Sequence, residues 1–127
     1  MPRGPVSRYN VALGKWGEQL AETLLVKLGA TILARNYRTV PGEIDLVVDH
    51  DDDLVAVEVK TRTALDLEKP EEAVTRWKLR RMSLGLQTFA MDNNMLERHW
   101  RLDMVAVELD LDGGLLRCEH LRDVYLG

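Results

Sequence analysis

Two acidic residues of this chain, Asp45 and Glu58, stand where an antiparallel hairpin would bring them face to face. Residues 43–49 and 54–61 each alternate polar and apolar side chains, which is typical of β-strands with two different faces. A four-residue loop between these strands would pair position 49 with position 54 and place the two acids directly opposite each other. The polar face of the hairpin would then carry Glu43, Asp45, Glu58 and Lys60, with Glu43 opposite Lys60.

Carboxylates that face each other across a ladder repel, and a divalent cation between them would reverse that repulsion. Magnesium fits because it takes oxygen ligands at ~2.0–2.1 Å, commonly one or two carboxylates completed by water and substrate phosphate. Such an ion would polarise a phosphoryl oxygen and lower the pKa of a coordinated water. Lys60 lies on the same face and could orient that water or neutralise developing negative charge. The alternative is a half-solvated strand face on which Glu43 and Lys60 form an ordinary ion pair.

The elements that must position these residues follow from the hydrophobic pattern. Helical periodicity predicts helices over residues 13–28 and 70–91, the second opened by Pro70. Strand patterns cover residues 31–38, 43–49, 54–61, 102–111 and 115–121, and the run 50–53 is expected to be an exposed loop. The order helix, three strands, helix, two strands predicts one α/β domain with a mixed central sheet of about five strands flanked by helices.

The same pattern assigns several side chains to the core or the surface. The apolar face of the hairpin is expected to be uniform, with Ile44, Leu46, Val48, Val55, Val57 and Val59. Trp16 and Trp77 fit apolar helix stripes and are expected in the core, whereas the sequence does not decide the position of Trp100. Lys78 lies on the apolar stripe of the second helix, where an ammonium that extends away from the packed face is favoured over one that reaches the sheet.

Length and composition limit the class of protein. The 127 residues, 46% of them hydrophobic, suit one domain over residues 13–127 behind a flexible basic tail, residues 1–12. The net charge of −4 argues against a protein that coats DNA, but a nuclease must concentrate carboxylates at its site. No apolar run approaches the ~20 residues of a membrane span, so we expect a cytoplasmic protein with no membrane partner. The single cysteine, Cys118, is expected to be a buried, unreactive thiol.

A longer string around the two acids resembles a known superfamily. Gly42-Glu43-Ile44-Asp45, followed by Glu58-Val59-Lys60-Thr61-Arg62, is similar to the motif of the PD-(D/E)XK nucleases. More closely, the chain resembles the YraN-type family of small, poorly characterised bacterial proteins, which is usually placed near archaeal Holliday-junction resolvases. The resemblance includes residues 14–18, 36–38, 73–81 and 101–103, and it implies a restriction-endonuclease-like core. Two positions depart from the pattern: Ile44 stands where the superfamily name has proline, and relatives tend to carry a glycine just before the turn that contains Pro70.

The resemblance implies a role for each residue of the site. Asp45 and Glu58 would be the metal-binding carboxylates, and Lys60 would be the catalytic lysine. Glu18 would be an additional catalytic and metal-binding acid on the first helix, and its alternative is a solvated helix carboxylate. Glu43 would have a supporting role, such as holding Lys60 in place. The expected cofactor is Mg²⁺, or Mn²⁺ in its place.

Basic residues near the hairpin could hold the phosphates of a nucleic acid in spite of the acidic total. Those expected to do so are Arg38, Arg62, Lys78 and Arg81, with Arg35, Lys69, Arg76 and Arg80 nearby. The alternative is that they form a solvated surface. Nucleic acid, and DNA in particular, is the expected partner, although the sequence does not separate DNA from RNA.

These features together predict a metal-dependent endonuclease that acts on structured or branched DNA in repair or recombination. A non-catalytic nucleic-acid-binding module that retains the fold is the first alternative. An interaction protein whose hairpin pairs with a partner is the second. A homodimer would be expected for a junction-resolving enzyme, because symmetric cutting of two strands needs two sites.

Overall fold

The computed structural model describes residues 8–124 and confirms the expected α/β order of elements. The chain forms α1 (Arg8–Lys27), β1 (Thr31–Arg38), β2 (Glu43–His50), β3 (Asp53–Thr63), a 3₁₀ turn (Pro70–Ala73), α2 (Arg76–Asp92), β4 (Trp100–Leu109) and β5 (Leu115–Leu121). Residues 1–7 of the predicted basic tail lie outside the described residues. The first helix begins at Arg8, earlier than the predicted start at residue 13.

The five strands form one mixed sheet in the order β1-β2-β3-β4-β5. Only β3 and β4 run parallel, and α2 lies in the crossover connection that a parallel pair requires. Helix α1 packs against β1, β3, β4 and β5, whereas α2 packs against β2, β3 and β4. Two apolar clusters result: one beneath α1 includes Leu25, Val55, Val57 and Val105, and one beneath α2 includes Ala56, Met82, Leu86 and Phe89. Both faces of the central strands are therefore buried.

The hairpin of β2 and β3 has the predicted register, with Asp49 paired to Leu54. Its turn is shorter than expected, because His50 pairs with Asp53 and leaves only two residues between the strands. Those residues, Asp51 and Asp52, have φ angles of 51° and 67°, as a tight two-residue hairpin turn requires. The expectation of an exposed loop over residues 50–53 was wrong for His50, whose side chain is only 5% exposed, and for Asp53, which begins β3 and is partly buried.

The apolar face of the hairpin is not uniform, because the alternation breaks at Asp45. Leu46 and Val48 pack in the cluster beneath α1, as expected, but Ile44 packs in the cluster beneath α2. The neighbouring strand β1 is irregular at the same level, where Asn36 has a φ angle of 49°. A strict period of two would have placed all three apolar residues on one face, so the prediction for Ile44 was wrong.

The second helix also differs from its prediction. Pro70 opens a 3₁₀ turn rather than the helix itself. The chain is extended at Val74 and Thr75, and α2 begins at Arg76. The Thr75 hydroxyl caps this start by accepting a hydrogen bond from the backbone N–H of Lys78, at 3.1 Å.

The tryptophans lie differently from expectation. Trp16 is 42% exposed and Trp77 is 64% exposed, so the expectation that both belong to the core was wrong. Trp100 is partly buried against the cluster beneath α2. Cys118 is partly buried against the other cluster, and burial raises the pKa of its thiol. Within residues 8–124, no helix has the length and apolar character needed to cross a bilayer.

Helix α2 contacts the turn between β1 and β2 without intervening side chains. A Cβ placed on Gly42 would lie 2.3 Å from the carbonyl oxygen of Arg81 and 2.5 Å from the nitrogen of Gly85. Both neighbours are backbone atoms of one helix, which cannot move aside separately. Glycine at position 42 therefore sets the distance between α2 and the strand that carries Asp45.

We expect the substitution Gly42→Ala to lower the free energy of unfolding by about 2–3 kcal/mol, since the added methyl group must displace α2. Gly14→Ala is the matched control, because a Cβ at this helical glycine would meet nothing within 4 Å. Alanine is more favourable than glycine inside a helix, so the control should be more stable than the unsubstituted protein by up to about 1 kcal/mol. Urea unfolding of the three proteins measures both effects, and equal midpoints for Gly42→Ala and the unsubstituted protein would contradict the close contact.

Candidate active site

Asp45 occupies the point where β2 and β3 separate. The last ladder pair before it is Leu46 with Val57, so Asp45 and Glu43 lie beyond the paired residues. The Asp45 carboxylate accepts a hydrogen bond from the backbone N–H of Val59, at 2.8 Å. A side-chain oxygen thus satisfies a strand N–H that has lost its ladder partner, and the same bond fixes the carboxylate beside β3.

Glu58 is held from the opposite side of the sheet. Its side chain is 15% exposed, and its Oε1 accepts a hydrogen bond from Nζ of Lys78, at 3.1 Å. The expectation that the Lys78 ammonium extends away from the packed face was wrong, because this ammonium reaches the sheet. Helix α2 therefore contributes a positively charged side chain to the site, and this charge balances the negative charge of the Glu58 carboxylate.

Burial and the neighbouring charge of Glu58 raise the pKa values of Asp45 and Glu18. Burial, followed by the charge of Glu58, raises the pKa of Asp45 to about 7, against the opposing effect of the Val59 N–H. Burial also raises the pKa of Glu18, an effect that Lys15 opposes and Glu58 reinforces. Glu18, Asp45 and Glu58 thus belong to one electrostatic group, although they come from α1, β2 and β3.

These acids line a cleft of about 270 Å³. Its walls are Gly14, Glu18, Asp45, Glu58, Val59, Lys60, Thr61 and Arg62. Helix α1 can come this close to β3 because Gly17 faces Thr61, where a Cβ would lie only 1.9 Å from the hydroxyl oxygen. Gly17 therefore brings its neighbour Glu18 to the site, a role that sequence reasoning missed.

Lys60 lines the same cleft. Burial lowers the pKa of its ammonium, and the nearby charges of Lys78 and Arg62 lower it further. Glu43 does not hold Lys60 in place, because its carboxylate pairs with Arg81 at 3.7 Å. Among the described residues, no carboxylate forms an ion pair with Lys60, so its ammonium is available to a group that enters the cleft.

The predicted phosphate-binding residues occupy different positions around the site. Arg62 lines the cleft and donates a hydrogen bond to Glu68 at 2.6 Å, while its Nε is buried without a hydrogen-bond partner among residues 8–124. Lys78 and Arg81 line the α2 side of Glu58. Arg38 is exposed at the end of β1, opposite Glu43 in the ladder. The structure thus brings Arg62, Lys78 and Arg81 to the carboxylates and places Arg38 beside them.

The donor set of the cleft suits a hard cation. In the described part of the chain, no three His, Cys, Asp or Glu side chains are placed to enclose a metal ion. Magnesium does not need such a cage, because one or two carboxylates with water and substrate phosphate complete its shell. Asp45 and Glu58 supply two carboxylates, and neither histidine nor cysteine lines the cleft, which favours Mg²⁺ or Mn²⁺ over zinc.

Sequence reasoning missed a buried polar network on the α1 side of the sheet. Arg101 donates hydrogen bonds to Asp103 at 2.9 Å, to Asp53 at 3.0 Å and to Nδ1 of His50 at 2.7 Å. Asp103 also bonds His120 at 2.6 Å. The one available signal was the presence of Arg101 and Asp103 on the otherwise apolar face of a strand. None of these residues lines the cleft.

Comparison with known proteins shows many relatives of similar length. A UPF0102 protein of Rhodococcus jostii is 42% identical over 120 residues, which cover 92% of this chain and 98% of the relative. A UPF0102 protein of Chloroherpeton thalassium is 45% identical over 101 residues, covering 80% and 78%. One of Geobacter sulfurreducens is 36% identical over 125 residues, covering 98% and 97%. A model of uncharacterised protein family UPF0102 matches residues 17–107, a span that includes every acid of the cleft. These matches confirm the resemblance to the YraN-type family, and the chain belongs to the uncharacterised protein family UPF0102.

Proposed function

We propose that this protein is a metal-dependent endonuclease that hydrolyses phosphodiester bonds of nucleic acid, with structured or branched DNA in repair or recombination as its substrate. The observation that carries the proposal is the pair Asp45 and Glu58, two partly buried carboxylates that share one cleft with Lys60. Burying carboxylates beside each other destabilises a fold, so a site that keeps them is a candidate for function. The nuclease-like motif at these same residues supports the proposal.

Asp45 and Glu58 would hold Mg²⁺ or Mn²⁺, and Glu18 on α1 would add negative charge to the same cleft. When bound, the ion supplies Lewis-acid stabilisation of phosphoryl charge and a more acidic water. The Val59 N–H keeps the Asp45 carboxylate in position, and Lys78 does the same for Glu58. Both carboxylates are thus oriented before a substrate arrives.

Lys60 would act directly on the reacting phosphodiester. Its ammonium lines the cleft without a carboxylate partner among the described residues, so it can donate hydrogen bonds to the attacking water or to a phosphoryl oxygen. Arg62 lines the same cleft, where its guanidinium would add positive charge next to a bound phosphate. Arg38 and Arg81 extend the positive charge beyond the cleft.

A non-catalytic nucleic-acid-binding module is the second candidate. It is favoured by the contact between Lys78 and Glu58, because an ammonium at 3.1 Å competes with a metal ion for the same oxygen. A hydrolytic site requires that metal and substrate displace or share this contact.

Cleavage assays on branched, flapped, single-stranded and duplex DNA, and on matched RNA, separate the two candidates. We expect Mg²⁺-dependent cleavage that falls by at least about a hundredfold in Asp45→Asn and in Lys60→Met. Glu22→Gln is the matched control, because Glu22 is an α1 acid that pairs with Arg35 and does not line the cleft. It should cleave at the unsubstituted rate. Undiminished cleavage by Asp45→Asn would refute the assignment of this cleft as a nuclease site. Binding of nucleic acid without cleavage in any metal would establish the second candidate.

A further inference from the structure

Trp77 exposes a large aromatic surface beside the site. Its side chain is 64% exposed on the first turn of α2, although tryptophan usually buries most of its area. The guanidinium of Arg81, one helical turn later, lies 4.8 Å from the ring centroid. This cation–π contact and the ion pair of Arg81 with Glu43 orient the indole and leave the rest of its surface open.

The indole borders the carboxylates of the site. Trp77, Lys78 and Arg81 line a small groove together with Glu43 and Glu58. Glu58 also lines the cleft that contains Asp45 and Lys60. A chain whose phosphate lies at the cleft would therefore place an adjacent nucleotide near Trp77.

The charge around the indole fits a polyanion. Residues 76–81 include four basic side chains and no acidic one, although the whole chain has a net charge of −4. Arg80 is exposed on this segment, and Lys78 and Arg81 face the site. Basic side chains next to an exposed aromatic ring are the combination that binds single-stranded nucleic acids, where phosphates meet cations and bases stack on rings.

We propose that Trp77, supported by Arg81, is a stacking platform for an unpaired nucleobase next to the phosphodiester in the cleft. The proposal rests on the proposed function and narrows its substrate to nucleic acid that has a single-stranded or unstacked segment at the site. In a continuous duplex both faces of each base are covered by neighbouring pairs, so no face is free for the indole. An unpaired base offers one.

Trp16 provides a matched control for this role. It is also partly exposed, but its Nε1 donates a hydrogen bond to the carbonyl oxygen of Gly113 at 3.0 Å, which fixes it against the turn between β4 and β5. It lines neither the cleft nor the groove beside Glu58. A substitution at Trp16 thus removes a tryptophan without touching the proposed platform.

The test measures binding of a fluorescent single-stranded oligonucleotide and of the corresponding blunt duplex, in buffer with Ca²⁺ and again with EDTA. Trp77→Ala should weaken single-strand binding by about 5-fold to 150-fold, the range expected for one lost base stack, and change duplex binding little. Trp77→Phe should retain most of the affinity, and Trp16→Phe should bind like the unsubstituted protein. Quenching of tryptophan fluorescence by the single strand should disappear in Trp77→Phe and persist in Trp16→Phe.

Equal affinity of Trp77→Ala and the unsubstituted protein for the single strand would overturn the platform, and so would an equal loss for single strand and duplex. Absence of binding by the unsubstituted protein would overturn it as well. The readout is independent of hydrolysis: a Trp77-dependent single-strand affinity without cleavage would keep the platform and refute the nuclease. Cleavage by the unsubstituted protein, with no effect of Trp77→Ala on single-strand binding, would keep the nuclease and refute the platform.

Discussion

Replacing Asp45 with asparagine should make the metal-free protein more stable at pH 8 and remove its stabilisation by magnesium. The pKa of Asp45 is raised to about 7 by burial and by Glu58, so at pH 8 this carboxyl is ionised in an environment that disfavours its charge. Asparagine has nearly the same shape, keeps an oxygen to accept the Val59 N–H, and carries no charge. The substitution therefore removes the repulsion and leaves the backbone contact in place.

The direction of the pH dependence follows from proton linkage. Between pH 3.8, the ordinary pKa of an aspartate side chain, and pH of about 7, the folded protein retains a proton on Asp45 that the unfolded chain releases. The stabilising contribution of this proton is fully present below pH 3.8 and is lost as the pH rises to about 7. At roughly 1.4 kcal/mol per pKa unit, the rise of the pKa from 3.8 to about 7 makes the difference at pH 8 on the order of 4 kcal/mol.

Thermal unfolding of Asp45→Asn and of the unsubstituted protein, at pH 4 and pH 8 with EDTA, measures this effect. We expect similar melting temperatures at pH 4 and an increase of roughly 5–15 °C for Asp45→Asn at pH 8. Millimolar Mg²⁺ at pH 8 should then raise the melting temperature of the unsubstituted protein but not that of Asp45→Asn, because a ligand stabilises only the state that binds it. Glu22→Gln should not gain stability at pH 8 in EDTA, and it should keep the stabilisation by Mg²⁺ because Glu22 does not line the cleft. The raised pKa of Asp45 would be refuted if, without metal, the melting temperature of Asp45→Asn exceeded that of the unsubstituted protein by no more at pH 8 than at pH 4.

Arg101→Ala should destabilise the protein by about 3–5 kcal/mol, since removing one member of a buried ion pair leaves the other without compensation. The Arg101 side chain is 5% exposed, and it binds Asp103, Asp53 and His50. Burial opposes ionisation of Asp103, but hydrogen bonds from His120, Arg101 and the Asp123 N–H hold its pKa below the usual value. Without the guanidinium, this carboxylate would remain buried and undercompensated.

The same network determines the tautomer of His50. A guanidinium only donates hydrogen bonds, so Nδ1 of His50 must accept from Arg101, and Nε2 then donates to the carbonyl oxygen of Leu28 at 3.1 Å. This last bond connects the hairpin to the end of α1. Arg101→Ala thus weakens the attachment of three elements at once: the hairpin, α1 and β5.

Urea unfolding of Arg101→Ala measures the loss, with Arg122→Ala as the control. Arg122 also pairs with an aspartate, Asp51 at 2.8 Å, but both members of that pair are exposed to solvent. Solvent screens an exposed pair and leaves it a small contribution to stability, so the control should unfold close to the unsubstituted midpoint. Comparable losses in the two variants would show that the buried network contributes no more than a surface ion pair.

The sequence was sufficient for the order of the elements and for the register of the hairpin. Both depend on local patterns: helical periodicity, strand alternation and the polar run between β2 and β3. The register placed Asp45 and Glu58 near each other, and the structure brings them to one cleft. The grouping of these two acids could therefore be predicted from the sequence, because they lie on two adjacent strands.

What the sequence did not show depends on contacts between distant segments. The change of face at Ile44 requires a local break in β2 that a period-two pattern cannot represent. The roles of Gly17 and Gly42 depend on which backbone or side chain approaches them, and a glycine alone does not identify its neighbour. The contact of Lys78 with Glu58 joins residues that only the folded sheet brings together. The same is true of the buried contact of His50 with Arg101.

The parallel pairing of β3 with β4 has a consequence for the order of folding. Strands β1, β2 and β3 are neighbours in sequence and can pair through short turns, but β4 joins β3 across the long connection that contains α2. Contacts of long sequence separation close late because of the entropy of the intervening loop. Glu58 lies on β3, and Lys78, the residue that holds it, lies within that crossover. The hairpin can thus bring Asp45 and Glu58 together before Lys78 is in place, so the two acids lie close to each other without this neutralising ammonium until α2 packs on the sheet.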